Sequence, residues 1–427
     1  MCHVIISAKI ILIIKLAEND VYIKRHAETT LGKLLNMFGA VLVTGPRQVG
    51  KTTMLKHITN ISNHVSLDDP LIRAGAINQA TTFFKDYPPP LFIDEIQYAP
   101  NLFSQMKIVL DQSKKKGQFI MTGSQQFELM RNVSESLAGR LGLLTLLGFS
   151  LRERLEIPFS DFFLPTNEYL NSRQDYLKEL LYQDTWKMIH LGSMPELVIH
   201  QDYSWQMFFS SYVKTYLERD VHQLTQVRDE LQFANFMTAV ASRTGNLLNL
   251  ASLARDVAVS QPTAERWLSI LVASGIVYLL KPFHNNILKR AVRTPKIYFL
   301  DTGLAAYLTR WSSPDVLKEG AMSGAFFETF VISEIIKSFY NQGVLNPPLY
   351  FYRDRDGKEI DLLIENNGIM HPLEIKKHAD PQRSDVSVFR LLDTIPNFKR
   401  GCGGIICFCD HVVSLSETDK VIPINYL

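Results

Sequence analysis

Cysteine is scarce, with four in 427 residues, too few for a disulfide framework. Three of them, Cys402, Cys407 and Cys409, share the stretch GCGGIICFC. That stretch has no C-x-x-C pairing and alternates like a late buried strand, so neither zinc nor redox chemistry is expected there. This cysteine usage is that of a cytosolic protein. Long apolar runs are missing too. The longest, VIISAKIILIIKLA, is broken by Lys9 and Lys15 and falls well short of the roughly 20 residues a helical span needs. No basic segment precedes it and no small-x-small cleavage site follows, so residues 1–21 read as an N-terminal extension and no membrane partner is expected. An excess of one charge is also absent. Lys and Arg number 45 against 43 acids, so only the local placement of charge can speak for or against nucleic acid. Internal repeats and low-complexity tracts are lacking. What remains is a chain with 46% hydrophobic residues, too long for one ordinary core, which reads as a soluble protein of two to four domains.

The first chemistry lies in GAVLVTGPRQVGKTTML. A short apolar strand precedes Gly45-x-x-x-x-Gly50-Lys51-Thr52, and a helical pattern follows, which is the context a P-loop requires. The backbone of Gly45, Pro46, Arg47, Gln48, Val49 and Gly50 would curl around phosphate. Lys51 would neutralise the β and γ oxygens, and Thr52, with Thr53 beside it, would open the helix and offer a hydroxyl to Mg²⁺. A second apolar strand, PPPLFIDEIQYAP, ends in Asp94 and Glu95. Asp94 suits the metal and Glu95 suits orienting or deprotonating an attacking water, which favours hydrolysis over transfer to an acceptor. A third, GQFIMTGSQQ, ends in Thr122, Ser124 and Gln125, a polar tip where a γ-phosphate sensor would stand or a plain strand-to-helix turn would do as well. Strands near 40–44, 64–68, 91–94, 118–122 and 143–147 imply a parallel α/β sheet with its ligand at the strands' C-terminal ends. Arg140, in SESLAGRLG, would reach a γ-phosphate in its own or a neighbouring subunit of a homo-oligomer, or is a solvated helix-end charge.

Residues 166–245 have a helical pattern in which nothing announces chemistry; Glu218, Arg219 and Asp220 are most simply a paired helix face. Residues 246–319 then carry two short amphipathic helices at helix-turn-helix spacing, with Ser260 as N-cap and Pro262 in the first turn of the second. The segment KPFHNNILKRAVRTPK follows, with Lys281, Lys289, Arg290, Arg293 and Lys296 and no acid. A basic wing of this kind suits a DNA backbone, although Glu265 on the second helix opposes it and winged helices also serve as protein contacts.

Two apolar runs joined by Asn-Asn-Gly, EIDLLIENNGIMHPLEIKK, close the pattern. An Asn-Gly turn folds the Asp361 strand back beside Glu374 and Lys376, and these last two, being two apart, share a face. The preceding helix GAFFETFVISEIIKSF offers a further acid: Glu334 falls inside its apolar stripe and Glu328 near the edge. Two carboxylates that hold Mg²⁺ and a lysine that stabilises charge suit phosphodiester cleavage. The bland reading is a surface hairpin with solvated charges, against which both strands are strongly apolar.

Together these residues resemble a large prokaryotic family of AAA-like P-loop ATPases fused to a C-terminal domain of unknown function. The resemblance rests on TGPRQVGKTT (44–53), FIDEIQ (92–97), TGS (122–124), SLAGR (136–140), YLERDV (216–221), KIYFLDTGL (296–304), FYRDRDGKEIDLLIE (351–365) and LEIKK (373–377), and spans roughly residues 22–410. It implies an ATPase of the additional-catalytic-glutamate class at 22–165, a helical lid at 166–245, a winged helix at 246–319 and, at 320–427, an α/β domain like the PD-(D/E)XK restriction endonucleases. It gives Lys51 and Thr52 to nucleotide and Mg²⁺, Asp94 and Glu95 to hydrolysis, and Asp361, Glu374 and Lys376 to the nuclease-like site. For the helix acid the family pattern points to Glu328 where the wheel points to Glu334, and both stay open. The family's Gly-Gly-x-Pro is Gly192-Ser193-Met194-Pro195 here, and residues 1–21 have no counterpart. The expectation is an ATP-hydrolysing switch or motor that positions the C-terminal modules on DNA. The competing one is a regulatory ATPase whose C-terminal module is catalytically silent and binds protein or nucleic acid.

Overall fold

The computed structural model describes residues 22–59, 61, 63–123, 137–216, 230–283, 293–354, 356–395 and 398–427. Its first sheet is wholly parallel. β1 (Ala40–Thr44), β2 (Asn63–Ser66), β3 (Leu91–Asp94), β4 (Phe119–Gly123) and β5 (Leu141–Thr145) lie in the order β2-β3-β4-β1-β5. β1 and β4 are buried at every position, the pattern of strands covered on both faces. With every strand running one way, β1, β3 and β4 end along one edge, where Gly45, Asp94 and Thr122 meet.

A helical region follows, from Asn167–Gln174 through Gln261–Ala273. The Ser260 hydroxyl accepts the Thr263 amide at 3.2 Å, with a proline in the first turn behind it, as the spacing implied. The second sheet has nine strands. β6 (Val277–Pro282), β7 (Lys296–Phe299), β8 (Leu349–Arg353), β9 (Glu359–Asn366), β10 (Ile369–Ile375), β12 (Gly403–Cys407), β13 (Val413–Ser414) and β14 (Asp419–Pro423) form the order β13-β14-β12-β10-β9-β8-β6-β7, and β11 (Lys399–Arg400) pairs with β10. β9 and β10 are a hairpin whose turn residues Asn367 and Gly368 both take left-handed φ, +53° and +78°, as a type I′ turn demands. The cysteine-rich stretch supplies β12, buried throughout.

β6 and β7 sit in the segment read from sequence as a separate winged helix, yet β6 pairs with β8 through Lys281↔Tyr350, so the second sheet runs across residue 320. The largest apolar cluster is likewise continuous, from Leu31 and Val43 through Trp186, Phe236 and Trp267 to Phe330, Leu373 and Ile422. No helix among the described residues is long and apolar enough to cross a membrane.

The turn of helix Leu151–Arg154 ties the halves together. Ser150 and Glu153 form a capping box, Arg25 Nε meets Glu153 Oε1 at 3.0 Å, and the Leu151 amide donates to Glu334 Oε2 at 2.6 Å. Beside it, the His26 ring stacks on Phe159 and shares a hydrogen bond with the Ile157 carbonyl at 2.9 Å. Burial pulls this imidazole down to about 4, with Glu153 opposing only in part. The unfolded chain takes up that proton near 6.5 while the native chain refuses it until about 4, so stability falls as pH drops between those values. Urea unfolding at pH 7.5 and pH 5 is expected to show a loss of about 2 kcal/mol that His26→Gln lacks; an equal loss in both proteins would place the acid sensitivity elsewhere.

Candidate functional site

Gly45 opens the loop after β1 with φ +139°, and a Cβ there would stand 1.9 Å from the Leu146 carbonyl oxygen, so only glycine fits. Gln48 and Gly50 are also left-handed, which bends the loop around a cavity of about 420 Å³ lined by Arg47, Gln48, Gly50, Lys51, Thr52, Thr53, Glu95 and Thr215. The Lys51 ammonium is buried and donates to the Gly45 and Pro46 carbonyls at 2.9 and 2.7 Å. Thr52 donates to both oxygens of Asp94, at 2.9 and 3.1 Å. A hydroxyl beside a carboxylate is the hard-oxygen set that Mg²⁺ prefers, so the residues fit the ion.

Thr122 departs from its expected part. It is fully buried, donates to Asp94 and accepts the Glu95 amide at 3.0 Å, so it sets the two acids in place instead of facing a phosphate. Ser124 and Gln125 lie outside the described residues, as do Glu218, Arg219 and Asp220. Glu95 takes a left-handed φ of +59°, and its carboxylate is held by the Gln97 amide.

Arg140 is a correction. It precedes β5, its carbonyl accepts the Ala40 amide, and it therefore sits at the N-terminal edge of the sheet, one strand length of about 13 Å from the loop after Thr44. Its guanidinium meets Asp111 at 2.6 Å. It cannot reach a phosphate in its own subunit.

Sequence reasoning missed Arg25. Buried at 3% exposure, it donates to the Val49 carbonyl at 2.8 Å, the Leu147 carbonyl at 2.7 Å and Glu153, and so braces the phosphate loop from outside. No local pattern marks it, because its partners lie 24 to 128 residues away. A second cavity of about 460 Å³, lined by Tyr22, Arg25, Pro195, Ile199 and His200, shares Gln48, Gly50 and Thr53 with the first. The departure at Ser193 also has a function: its hydroxyl and amide both donate to Asp301 at 2.7 Å, beside a left-handed Gly192 whose Cβ would stand 2.5 Å from that carboxylate.

In the second sheet the hairpin register sets Leu362 against Leu373, so Asp361 and Glu374 face each other one step beyond. Asp361 accepts the Ile375 amide at 2.9 Å, and Lys376 meets Glu374 at 2.8 Å on the shared face that the two-residue spacing demands. The helix Ser323–Asn341 resolves its two acids. Glu334 pairs with Lys337 at 2.7 Å, facing the first domain, and is not part of this pocket; Glu328 is.

Lys296 is the second correction. Expected on a phosphate-facing wing, it is 2% exposed, with Nζ 2.9 Å from Glu328, 2.5 Å from Glu359 and 3.9 Å from Asp361. Burial lowers this ammonium, but Glu328, Asp361 and Glu359 outweigh it and hold it above the ordinary lysine range. Burial, then Glu328 and Glu374, raises Asp361 well above the usual carboxylate range, and burial raises Glu374 against the pull of Lys376. Lys281 and Arg293 are exposed, whereas Lys289 and Arg290 lie outside the described residues. Glu374 Oε2 is buried with no hydrogen-bond donor. That orphaned oxygen facing Asp361 fits a cation, although among the described residues no group of three His, Cys, Asp or Glu side chains is arranged to hold a metal.

Comparison with known proteins gives three matched segments. Residues 38–155 match the AAA domain, residues 182–315 a domain of unknown function (DUF8612) and residues 323–427 another (DUF4143). The uncharacterized proteins Mb2031c of Mycobacterium bovis and Rv2008c of Mycobacterium tuberculosis are each 28% identical over 424 residues, which cover 95% of this chain and 84% of theirs. Among solved structures, the Walker-type ATPase of Pyrococcus abyssi shares 15% identity with a TM-score of 0.43, covering 68% of this chain and 97% of its own. With its parallel sheet, glycine-bent loop and AAA match, the N-terminal unit is a P-loop ATPase-type domain.

Proposed function

We propose that the protein binds and hydrolyses ATP at the 420 Å³ cavity and uses its nucleotide state to govern a Mg²⁺-dependent, DNA-directed site in the second sheet. The observation that carries the reading is the convergence of Lys51, Thr52 and Glu95 on that one cavity, with Asp94 held against Thr52, from two separate stretches of chain. Lys51, freed from the Gly45 and Pro46 carbonyls, pairs with the β and γ oxygens, and the loop amides take the remaining charge. Thr52 and Asp94 would hold Mg²⁺, which neutralises charge developing on the phosphates. Glu95 accepts the proton of the attacking water once it leaves the Gln97 amide, and Thr122 keeps Glu95 and Asp94 in register. The adjoining 460 Å³ cavity takes the nucleoside.

In the second sheet, Asp361 and Glu374 would hold Mg²⁺ for phosphodiester cleavage, and Lys376 stabilises the charge on the reacting phosphate. Exposed Lys281 and Arg293 supply contacts to the backbone of the duplex. The competing reading, a silent C-terminal module, is favoured by Lys296, which already neutralises part of the carboxylate cluster. A plasmid-cleavage assay with Mg²⁺ or Mn²⁺, with and without ATP, separates the two. Cutting by the wild type that Glu374→Ala and Lys376→Ala abolish, with ATP turnover unchanged, is expected. Intact plasmid under every metal and nucleotide condition would leave the regulatory ATPase as the function.

A further inference from the structure

Lys296 lies in the middle of the second sheet's carboxylate cluster, and its position bears on how many cations that cluster accepts. Its Nζ bridges Glu328 and Glu359 at 2.9 and 2.5 Å. Those two acids have further partners: Glu328 accepts the Tyr298 hydroxyl, and the other oxygen of Glu359 meets Arg353 at 3.1 Å. The opposite end of the cluster is supplied differently. Asp361 is 3.9 Å from Lys296 and takes one backbone amide, and Glu374 spends one oxygen on Lys376 while the other is buried without a donor.

Accepting the reading of this pocket as a Mg²⁺ site, we infer that Lys296 is its second cation, built into the protein: the pocket takes one divalent ion, between Asp361 and Glu374, and Lys296 fills the place where a two-metal site would hold another. A buried ammonium and a metal ion make the same demand on carboxylates, namely positive charge at short range. Two-metal phosphoryl-transfer sites set their ions about 3.5–4 Å apart. Here one of the two loci, the one between Glu328 and Glu359, is already occupied by a covalently tethered charge. Lys296 is therefore a specificity-determining residue that sets metal stoichiometry. It also engages Glu328 and Glu359, so that the described residues offer an entering ion two side-chain carboxylates and not four.

The placement of Lys296 follows from the strand pairing. β7 is antiparallel to β6 with Leu280 opposite Lys296, and β6 adds to β8, so Lys296 enters the sheet where the β8–β9 hairpin presents Glu359 and Asp361. Pro295 and Leu248 anchor the preceding turn through a backbone hydrogen bond of 2.8 Å, which limits withdrawal of the lysine.

The test counts Mn²⁺ on the nucleotide-free full chain by electron paramagnetic resonance, taking as pocket-bound the ions lost in Glu374→Gln together with any gained when Lys296 is replaced. Wild type is expected to show one and Lys296→Met two, with Lys296→Arg restoring one. Two pocket ions in the wild type, or one in a folded Lys296→Met, would overturn the role given to Lys296. A wild type that loses none in Glu374→Gln would instead overturn the metal reading of the pocket, and the inference with it. Because the wild-type count decides by itself, failure of Lys296→Met to fold leaves the inference open to refutation.

Discussion

A Glu95→Gln protein is expected to bind ATP with Mg²⁺ as tightly as the wild type and to turn it over 10²- to 10⁴-fold more slowly, the range for loss of a general base. The two side chains have nearly the same size, and the Thr122 hydroxyl that positions this residue contacts its backbone amide, which the substitution leaves in place. Lys51→Ala is expected to behave in the opposite way. Its ammonium is buried at the floor of the loop, so its removal should weaken nucleotide binding itself and leave nothing to turn over. Calorimetric titration with ATP beside a phosphate-release assay separates the two variants. If Glu95→Gln hydrolysed ATP at the wild-type rate, the base would have to be sought elsewhere around the cavity.

These predictions draw on a part of the molecule that was legible in the sequence. The loop motif, the strand before it and the acidic pair at the end of β3 are local patterns, each contained in about a dozen residues, and the structure places them on one sheet edge because parallel strands must end together. The hairpin was legible for the same reason: a period of two fixes the shared face of Glu374 and Lys376, and Asn367-Gly368 fixes the turn. Charges whose partners are remote were not. Lys296 stands in a run of basic residues without an acid, which argues for a solvated surface, and only the pairing of β6 with β8 turns it toward Glu328 and Glu359. Arg25 and Arg140 fail in the same way, one serving a loop 24 residues ahead and the other lying at the wrong end of its strand. The two acids of helix Ser323–Asn341 divide the lesson. Helical periodicity correctly put Glu334 among apolar neighbours and required a partner for it, but which domain that partner tied it to was a tertiary matter.

The Glu334–Lys337 tie is expected to carry a large share of stability. Glu334 and Lys337 are 4% and 3% exposed, 2.7 Å apart, and each makes a second bond to the first domain: Glu334 accepts the Leu151 amide at 2.6 Å, and Lys337 donates to the Phe149 carbonyl at 3.0 Å. Removing one partner strands the other charge in a low-dielectric setting, which costs about 3–5 kcal/mol, whereas an apolar pair of similar volume recovers most of that loss. Glu334→Ala is therefore expected to lower the urea midpoint sharply, and Glu334→Leu combined with Lys337→Met to restore much of it. The single substitution also frees the Leu151 amide and loosens the Ser150–Glu153 turn that holds Arg25 against the phosphate loop. ATP affinity should accordingly fall in Glu334→Ala although no atom of Glu334 lines either nucleotide cavity. Chemical denaturation monitored by tryptophan fluorescence, with ATP titration of the same samples, gives both readings. An unfolding free energy within about 0.5 kcal/mol of the wild type, a margin typical of ordinary surface changes, would mean that the pair does not join the two segments as its geometry indicates.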